Sequence, residues 1–453
     1  MMDTTQPTPA SSSGDQPRQD RSHYSADVVI VGAGPAGSAA AYHAARAGYD
    51  TLVVDMADML VTPRDKTCGD GLTPRAVGAL QAMGAGHILD DAPTIRGLKL
   101  HGFGGSANAP WPEPNAFPAR GSAVARRSLD TQLLRHAVAA GARFVGGVKI
   151  IDATTGPHPD HISGLRGRVA SGGEATFEAR FVLLAEGVRS GVARKMGVQW
   201  LRGMVHGVAA RSYITTPRGD EPWIHSHLEL RDDDGVAQPG YGWVFPLGGQ
   251  AANLGCGALA TTSRPARVNT KKLLVTYANQ VRGEWQISGE PQKVASALLP
   301  MGGAVTRVAG RNWAAIGDTA ALVNPLNGEG IDYGLESAQL VVDLLGDAGR
   351  NPEVLTHMWP TVLREHYGDA FSLARRLAMI LTVPGLLAAI GPVGMRGPLA
   401  SSVMGTAARL MGNLVTPQDR DVAARLWRGA GRLSRGVDAL WAADSRPLFG
   451  TAG

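Results

Sequence analysis

Cysteine is nearly absent. Cys68 and Cys256 are the only two in 453 residues, which excludes a disulfide framework and any four-cysteine iron–sulfur or zinc site built from this chain alone. The amino-terminal stretch lacks an apolar run: residues 1–25, rich in Ser, Thr, Pro, Gln and Asp, read as a disordered extension without a signal peptide. The cytoplasm is therefore the expected compartment. Charged residues are few, at 18%, and no heptad or internal repeat is present, which argues against a coiled coil, a repeat array or a disordered polyelectrolyte.

Glycine is abundant, at 59 residues, as an α/β fold with tight nucleotide-binding loops requires. The length and the 44% apolar content suit two or three packed units. The net charge of +5 sits at one end: from Thr361 onward there are 11 Arg and no Lys against 6 acidic residues. Such a tail meets nucleic acid or an anionic membrane surface. Its arginines flank apolar sequence and do not interleave with aromatics, so no nucleic-acid partner is expected.

Residues 27–31 form an apolar strand, 32–37 a glycine turn, 36–47 an alanine-rich helix and 51–54 a second strand, a βαβ beginning. Helical periodicity returns at 74–83 and 129–140, and 181–185 is a later strand. Between 201 and 299 the period changes to two, with Asp234-Gly235 and Gly248-Gly249 as turns, which predicts antiparallel hairpins. A strand at 313–316 and a helix at 330–345 restore the α/β pattern. The expected organisation is an extension over 1–25, a nucleotide-binding domain over 26–200 with insertions, a substrate domain over 201–299, the rest of the nucleotide domain over 300–350, and a helical, membrane-facing region over 351–453.

In the run from Val28 to Gly37 the glycines stand where a strand turns sharply, lets a pyrophosphate approach the backbone and packs a helix closely. Gly32, Gly34, Pro35, Ala36 and Gly37 are thus candidate phosphate contacts at a helix N-terminus. Asp55, ending the next strand, suits the adenosine ribose hydroxyls. A second site separates FAD from NAD: Asp318 suits a ribityl hydroxyl, and Gly328, Gly330 and Ile331 open a helix whose N–H groups suit a flavin's pyrimidine edge. Arg126, just before a helix, is a candidate phosphate partner, with Asp130 read as a structural pair. Glu186 follows a strand at the sheet's carboxyl edge. The cofactor read from these segments is FAD; its reductant, NAD(P)H or another donor, has no second glycine fingerprint in the chain.

These segments, in this order, resemble the flavoprotein group of aromatic hydroxylases and geranylgeranyl reductases, with Glu186 where that group usually carries Asp. Lys66-Thr67-Cys68-Gly69-Asp70-Gly71 and Tyr241-Gly242-Trp243-Val244-Phe245-Pro246 narrow the resemblance to the geranylgeranyl reductase family, whose K-x-C-G-x-G and Y-x-W-x-F-P segments line the flavin and prenyl site. Within it, the runs from Arg64 to Val77, Leu299 to Val305 and Asn324 to Gly334 are most like the actinobacterial menaquinone reductase branch. The resemblance implies an α/β fold: a discontinuous Rossmann-like FAD-binding domain, an antiparallel β-sheet substrate domain and a helical C-terminal region. It further implies reduction of an isoprenoid double bond in a prenylated lipid such as menaquinone. Cys68, Tyr241 and Trp243 would be catalytic; Tyr241, Trp243, Phe245 and Pro246 would line the substrate; Cys68 and Gly69 would lie beside the cofactor. No metal ligands are assigned. An FAD monooxygenase, or a reductase of another prenyl lipid, is the alternative on the same fold.

Tyr241, Trp243 and Phe245 project from one face of a strand, an aromatic wall that suits an apolar tunnel or an ordinary core. An isolated alkene has no carbonyl to polarise it, so hydride delivery needs a positioned proton donor. Cys68, Tyr241 and Asp70 are candidates by place, yet an unshifted thiol or phenol is a weak acid, and the donor stays open. Residues 377–395 are nineteen without a charge, flanked by Arg375, Arg376 and Arg396 and interrupted by Pro384, Gly385, Gly391 and Pro392, whereas a membrane span needs about 20 continuous helical residues. The segment is expected to meet a membrane surface through those arginines, to close a substrate tunnel, or both, making the protein peripheral to the membrane.

Overall fold

The computed structural model of the protein describes residues 21–113, 116–266, 268–383, 385–396, 400–438 and 448–450; residues 1–20 of the expected extension, and Pro384, lie outside them. A seven-stranded sheet forms the nucleotide half. Strands Arg143–Val145, Thr51–Val54, Arg21–Val31, Glu174–Leu184 and Trp313–Ala315 pair in parallel in that order. Ile162–Val169 and Val148–Thr155 extend the sheet antiparallel. Val28, Val29 and Ile30 are fully buried, which explains why this strand reads as an unbroken apolar run: a parallel strand is covered on both faces. The strand begins at Arg21, with residues 21–26 paired to Glu174–Leu184; residues 21–25 are therefore strand and not extension. Helix Pro35–Arg46 packs against helices Arg126–Ala139 and Ile331–Ala348, so the early and late parts of the nucleotide half share one core.

A second seven-stranded sheet runs Ser288–Pro300, His206–Thr215, Ala251–Ala260, Gly240–Pro246, Trp223–His227, Gly97–Gly102, Gly105–Pro110. Two features differ from the sequence reading. The hairpin Gly97–Pro110, which falls in the span 26–200 assigned to the nucleotide domain, joins this sheet by a parallel pairing of Gly97–Gly102 with Trp223–His227. Inside the span read as hairpins lies helix Thr270–Trp285, capped by the Asn269 side chain, which accepts from the Lys271 and Lys272 N–H groups. Its buried residues Leu273, Leu274, Tyr277, Ala278, Val281 and Trp285 follow helical spacing, and they cover one face of the sheet.

Beyond the nucleotide half, helices Glu353–Leu381, Leu386–Met395, Ala400–Met411 and Val422–Asp438 follow. No helix among the described residues is long and apolar enough to cross a membrane. The expectation that Arg375 meets headgroups is corrected, whereas Arg376 is half-exposed and Arg396 exposed. Arg375 is buried and shares Asp438 with Arg376, at 3.5 and 2.7 Å, and Arg396 donates to the Phe103 carbonyl at 2.6 Å. Helix Leu386–Met395 docks on the hairpin, where a Cβ on Gly391 would come within 2.3 Å of the Phe103 ring.

Candidate functional site

The glycine turn behaves as its spacing demands. Gly32 has φ +108°, and a Cβ there would lie 2.3 Å from the Ala185 carbonyl oxygen; a Cβ on Gly37 would lie 1.8 Å from the Gly32 oxygen. Both positions are closed to a side chain by backbone. Gly34 differs: the nearest atoms to a Cβ there are the guanidinium nitrogens of Arg64 at 3.5 Å and Arg126 at 4.0 Å. Backbone N–H groups at the start of helix Pro35–Arg46 thus face two cations, a setting made for phosphate. Asp55 is buried and accepts from the Ala33 and Ala57 N–H groups at 2.7 and 2.9 Å, with Arg64 at 3.4 Å. Arg126 commits Nε and Nη2 to Asp130 at 2.7 and 2.8 Å, the structural pair expected for Asp130.

Asp318 begins a short turn after strand Trp313–Ala315 and pairs with Lys66 at 2.9 Å. Burial pushes the Asp318 carboxyl upward, but Lys66, helped by Arg126, outweighs this and holds it below the usual carboxylate range. The Gly330 Cα ends the adjacent loop, where a Cβ would lie 3.3 Å from Asp318 Oδ1, and helix Ile331–Ala348 starts at the next residue. Gly328 has φ +76°, and the Asn324 carbonyl and amide bond Gly328 N–H and Glu329 carbonyl at 3.0 and 2.7 Å. The loop is therefore locked with its N–H-rich end beside Asp318. Glu186 accepts from the Val192 and Ala193 N–H groups at 2.9 and 2.8 Å, capping the helix Gly191–Lys195.

The second sheet brings the Lys66–Gly71 loop and the aromatic strand together. Tyr241, Trp243 and Phe245 line one face, with ring centroids 5.8 and 6.0 Å apart in turn. A Cβ on Gly69 would lie 2.7 Å from the Phe245 ring, so the loop rests directly on that wall. Asn253, fully buried on the neighbouring strand, joins the two: it accepts from Trp243 Nε1 at 2.9 Å and donates to the Cys68 carbonyl and to Asp70 Oδ2, each at 2.8 Å. Asp70, at φ +66°, also accepts from the Arg126 N–H at 3.2 Å, and its own N–H reaches Cys68 Sγ at 3.4 Å. Burial raises Asp70 to about 6 and pushes the Cys68 thiol up. Arg211 holds the start of the loop through Asp65 and the Lys66 carbonyl.

Tyr241 donates to the Asn327 carbonyl at 2.6 Å, and burial raises its phenol above the usual range. Beside it lies an acid pair that sequence reasoning missed. Glu329 Oε2 and both carboxyl oxygens of Asp332 are buried without a hydrogen-bond partner at full geometry among the described residues. Burial, and their mutual repulsion, raise Glu329 well above the usual range, and burial raises Asp332 to about 7 against the pull of Arg75. Arg75 itself is engaged by Glu336 at 2.7 Å. Asn253 and Arg64 were also missed; a single Asn in the apolar strand Ala251–Ala260 was the available signal for the first.

The glycine cradle, the cations facing Gly34, the buried Asp55 and the helix terminus beside Asp318 fit an FAD. The model of the FAD-binding domain family matches residues 25–350. The menaquinone reductase of Mycobacterium tuberculosis (strain ATCC 25618 / H37Rv) is 51% identical over 414 residues, 91% of this chain and 97% of that protein. A digeranylgeranylglycerophospholipid reductase of Methanopyrus kandleri is 29% identical, covering 78% of this chain and 90% of its own. Among solved structures, a geranylgeranyl bacteriochlorophyll reductase-like protein from Thermoplasma acidophilum aligns with a TM-score of 0.70 at 18% identity, covering 92% of this chain and all of that one, which establishes the shared fold.

Proposed function

The chain belongs to the FAD-binding-domain flavoproteins, in the family that includes the mycobacterial menaquinone reductases, and we propose that it saturates an isoprenoid double bond in the prenyl chain of a membrane lipid, with menaquinone the first candidate. The observation that carries this reading is the aromatic wall Tyr241–Trp243–Phe245 docked on the Cys68 loop beside the Asp318 helix terminus. An apolar aromatic surface suits a prenyl chain, which offers no polar handle.

When bound, the flavin supplies a hydride to one alkene carbon. The chain must place the alkene, exclude water and bring a proton to the other carbon. Trp243, fixed by Asn253, and Phe245 hold the isoprene unit; Cys68 and Tyr241 border it. Burial makes both Cys68 and Tyr241 weaker acids than in water, so neither is the ultimate proton source. Burial raises Glu329 well above the usual carboxylate range beside Tyr241 and raises Asp332 to about 7, so this acid pair is the proposed proton reservoir.

A lipid substrate also requires contact with its membrane. Helix Val422–Asp438 exposes Val422, Leu426 and Leu433, at 66, 68 and 72%, on a surface shared with exposed Arg425 and Arg432. That combination suits an anionic bilayer surface. The test of function is mass spectrometry of the quinone pool with and without the gene. Loss of species heavier by two hydrogens on deletion, restored by complementation, is expected; an unchanged pool in cells that make the yellow protein contradicts menaquinone as the substrate.

A further inference from the structure

The aromatic strand has a reverse side. In the pairing of Trp223–His227 with Gly240–Pro246, Trp243 stands opposite Ser226, while His225 and His227 stand opposite Val244 and Gly242. The two histidines therefore project from the face away from the aromatic wall. On the neighbouring parallel strand His101 stands opposite His227, so three imidazoles share one patch of that face. Helix Thr270–Trp285 covers it and adds Glu284. One ligand atom from each of His101, His225, His227 and Glu284 can be chosen so that all lie within 4.8 Å of one another.

These side chains are not an ordinary satisfied core. His225 and His227 are 0 and 9% exposed, and Nε2 of each is buried without a hydrogen-bond partner among the described residues. His101 Nε2 approaches His225 Nδ1 at 3.0 Å. Tyr277 bonds His227 Nδ1 at 2.7 Å, which fixes that ring and leaves Nε2 for another partner, as the hydrogen bond to the far nitrogen of a metal-bound imidazole does. The cations at the edge are Lys99 and Arg218; Arg218 is engaged by Glu221 at 2.5 Å and stands 3.7 Å from Glu284. Glu221 stands 3.6 Å from His225 Nε2.

We propose that His101, His225, His227 and Glu284 bind a divalent transition-metal ion of the zinc class. An H-x-H pair on one strand, a histidine on the next and a carboxylate from the covering helix form a nitrogen-rich, four-ligand set that suits tetrahedral zinc. With four protein ligands and no open position the site is structural: it ties the hairpin Gly97–Pro110, the strand Trp223–His227 and the helix Thr270–Trp285 together behind the aromatic wall.

The test uses the full chain with flavin bound, stripped with a chelator and titrated with zinc and, separately, cobalt(II). The expected result is one zinc per chain, a rise in thermal midpoint on zinc addition, and zinc affinity at least about tenfold lower in His101→Gln and His227→Gln. Intense tetrahedral cobalt bands without a thiolate charge-transfer band are expected in the wild-type protein, and this readout needs no variant to fold. Failure of the wild-type protein to bind zinc, binding unchanged in folded variants, or a thiolate band pointing to Cys256 or Cys68 would each overturn the assignment.

Discussion

The two faces of the substrate sheet carry different chemistry, contributed by neighbouring strands. One face presents Tyr241, Trp243 and Phe245 to the Cys68 loop; the other presents His225 and His227 to helix Thr270–Trp285. Because the side-chain period of a strand is two, a one-residue slip of either strand would turn its set to the other face. Aromatic packing into glycine positions pins the register on both sides: a Cβ on Gly255 would lie 2.2 Å from the Trp243 ring, and a Cβ on Gly242 would lie 2.5 Å from the Tyr277 ring. The comparison teaches that substrate contact and bracing can be separated by the thickness of one sheet, so changes on one face should leave the other's readout intact.

The largest expected effect lies on the flavin side. Replacing the acid pair, Glu329→Gln with Asp332→Asn, should lower turnover by about 10²–10⁴-fold while flavin content and zinc binding stay unchanged; full turnover in single-turnover absorbance measurements would remove the pair from the mechanism. Asn253→Ala strands Trp243 Nε1, the Cys68 carbonyl and Asp70 Oδ2. It should cost roughly 3 kcal/mol in denaturant melts and slow turnover, and loss of zinc as well would break the separation of the faces.

Asp70 gives a pH test. Its folded value of about 6 lies above the ordinary 3.8, so the folded state holds the proton more tightly than the unfolded chain. The wild type should lose roughly 3 kcal/mol relative to Asp70→Asn as pH rises from about 4 to about 6, with no further change above that. A flat difference between their stability curves would contradict the burial argument. On the reverse face, Tyr277→Phe removes the bond to His227; zinc affinity should fall about tenfold with turnover unchanged, checked by competition titration. Smallest of all, Leu426→Gln with Leu433→Gln, outside both faces, should move stability by about 0.5 kcal/mol or less yet weaken flotation with anionic vesicles at low salt; undiminished flotation would take the membrane contact away from this helix.

Legibility in the sequence followed range. Gly32, Gly34, Gly37 and Asp55 act within one βαβ unit, and the alternation of Tyr241, Trp243 and Phe245 is local to one strand, so each could be read from spacing. The partnership of Asn253 with Cys68 spans 185 residues and that of Lys66 with Asp318 spans 252; no local pattern reports such contacts. The histidine patch was hidden for the same reason, since His101 reaches it only through the parallel pairing of a distant hairpin. Arg375 shows the converse error. Beside an apolar run it resembles a headgroup-facing residue, but it is buried, and Asp438, distant in sequence, claims it. Glu329 and Asp332 sat within a motif read for its glycines, and only burial shows their acidity to be altered.

The most direct test of the central claim is anaerobic: the purified protein with its flavin chemically reduced, mixed with menaquinone in detergent, followed by flavin absorbance and mass spectrometry. The account predicts that flavin reoxidation is matched by a product heavier by two hydrogens in its prenyl chain. Reoxidation without that product, or turnover that requires oxygen, would contradict it.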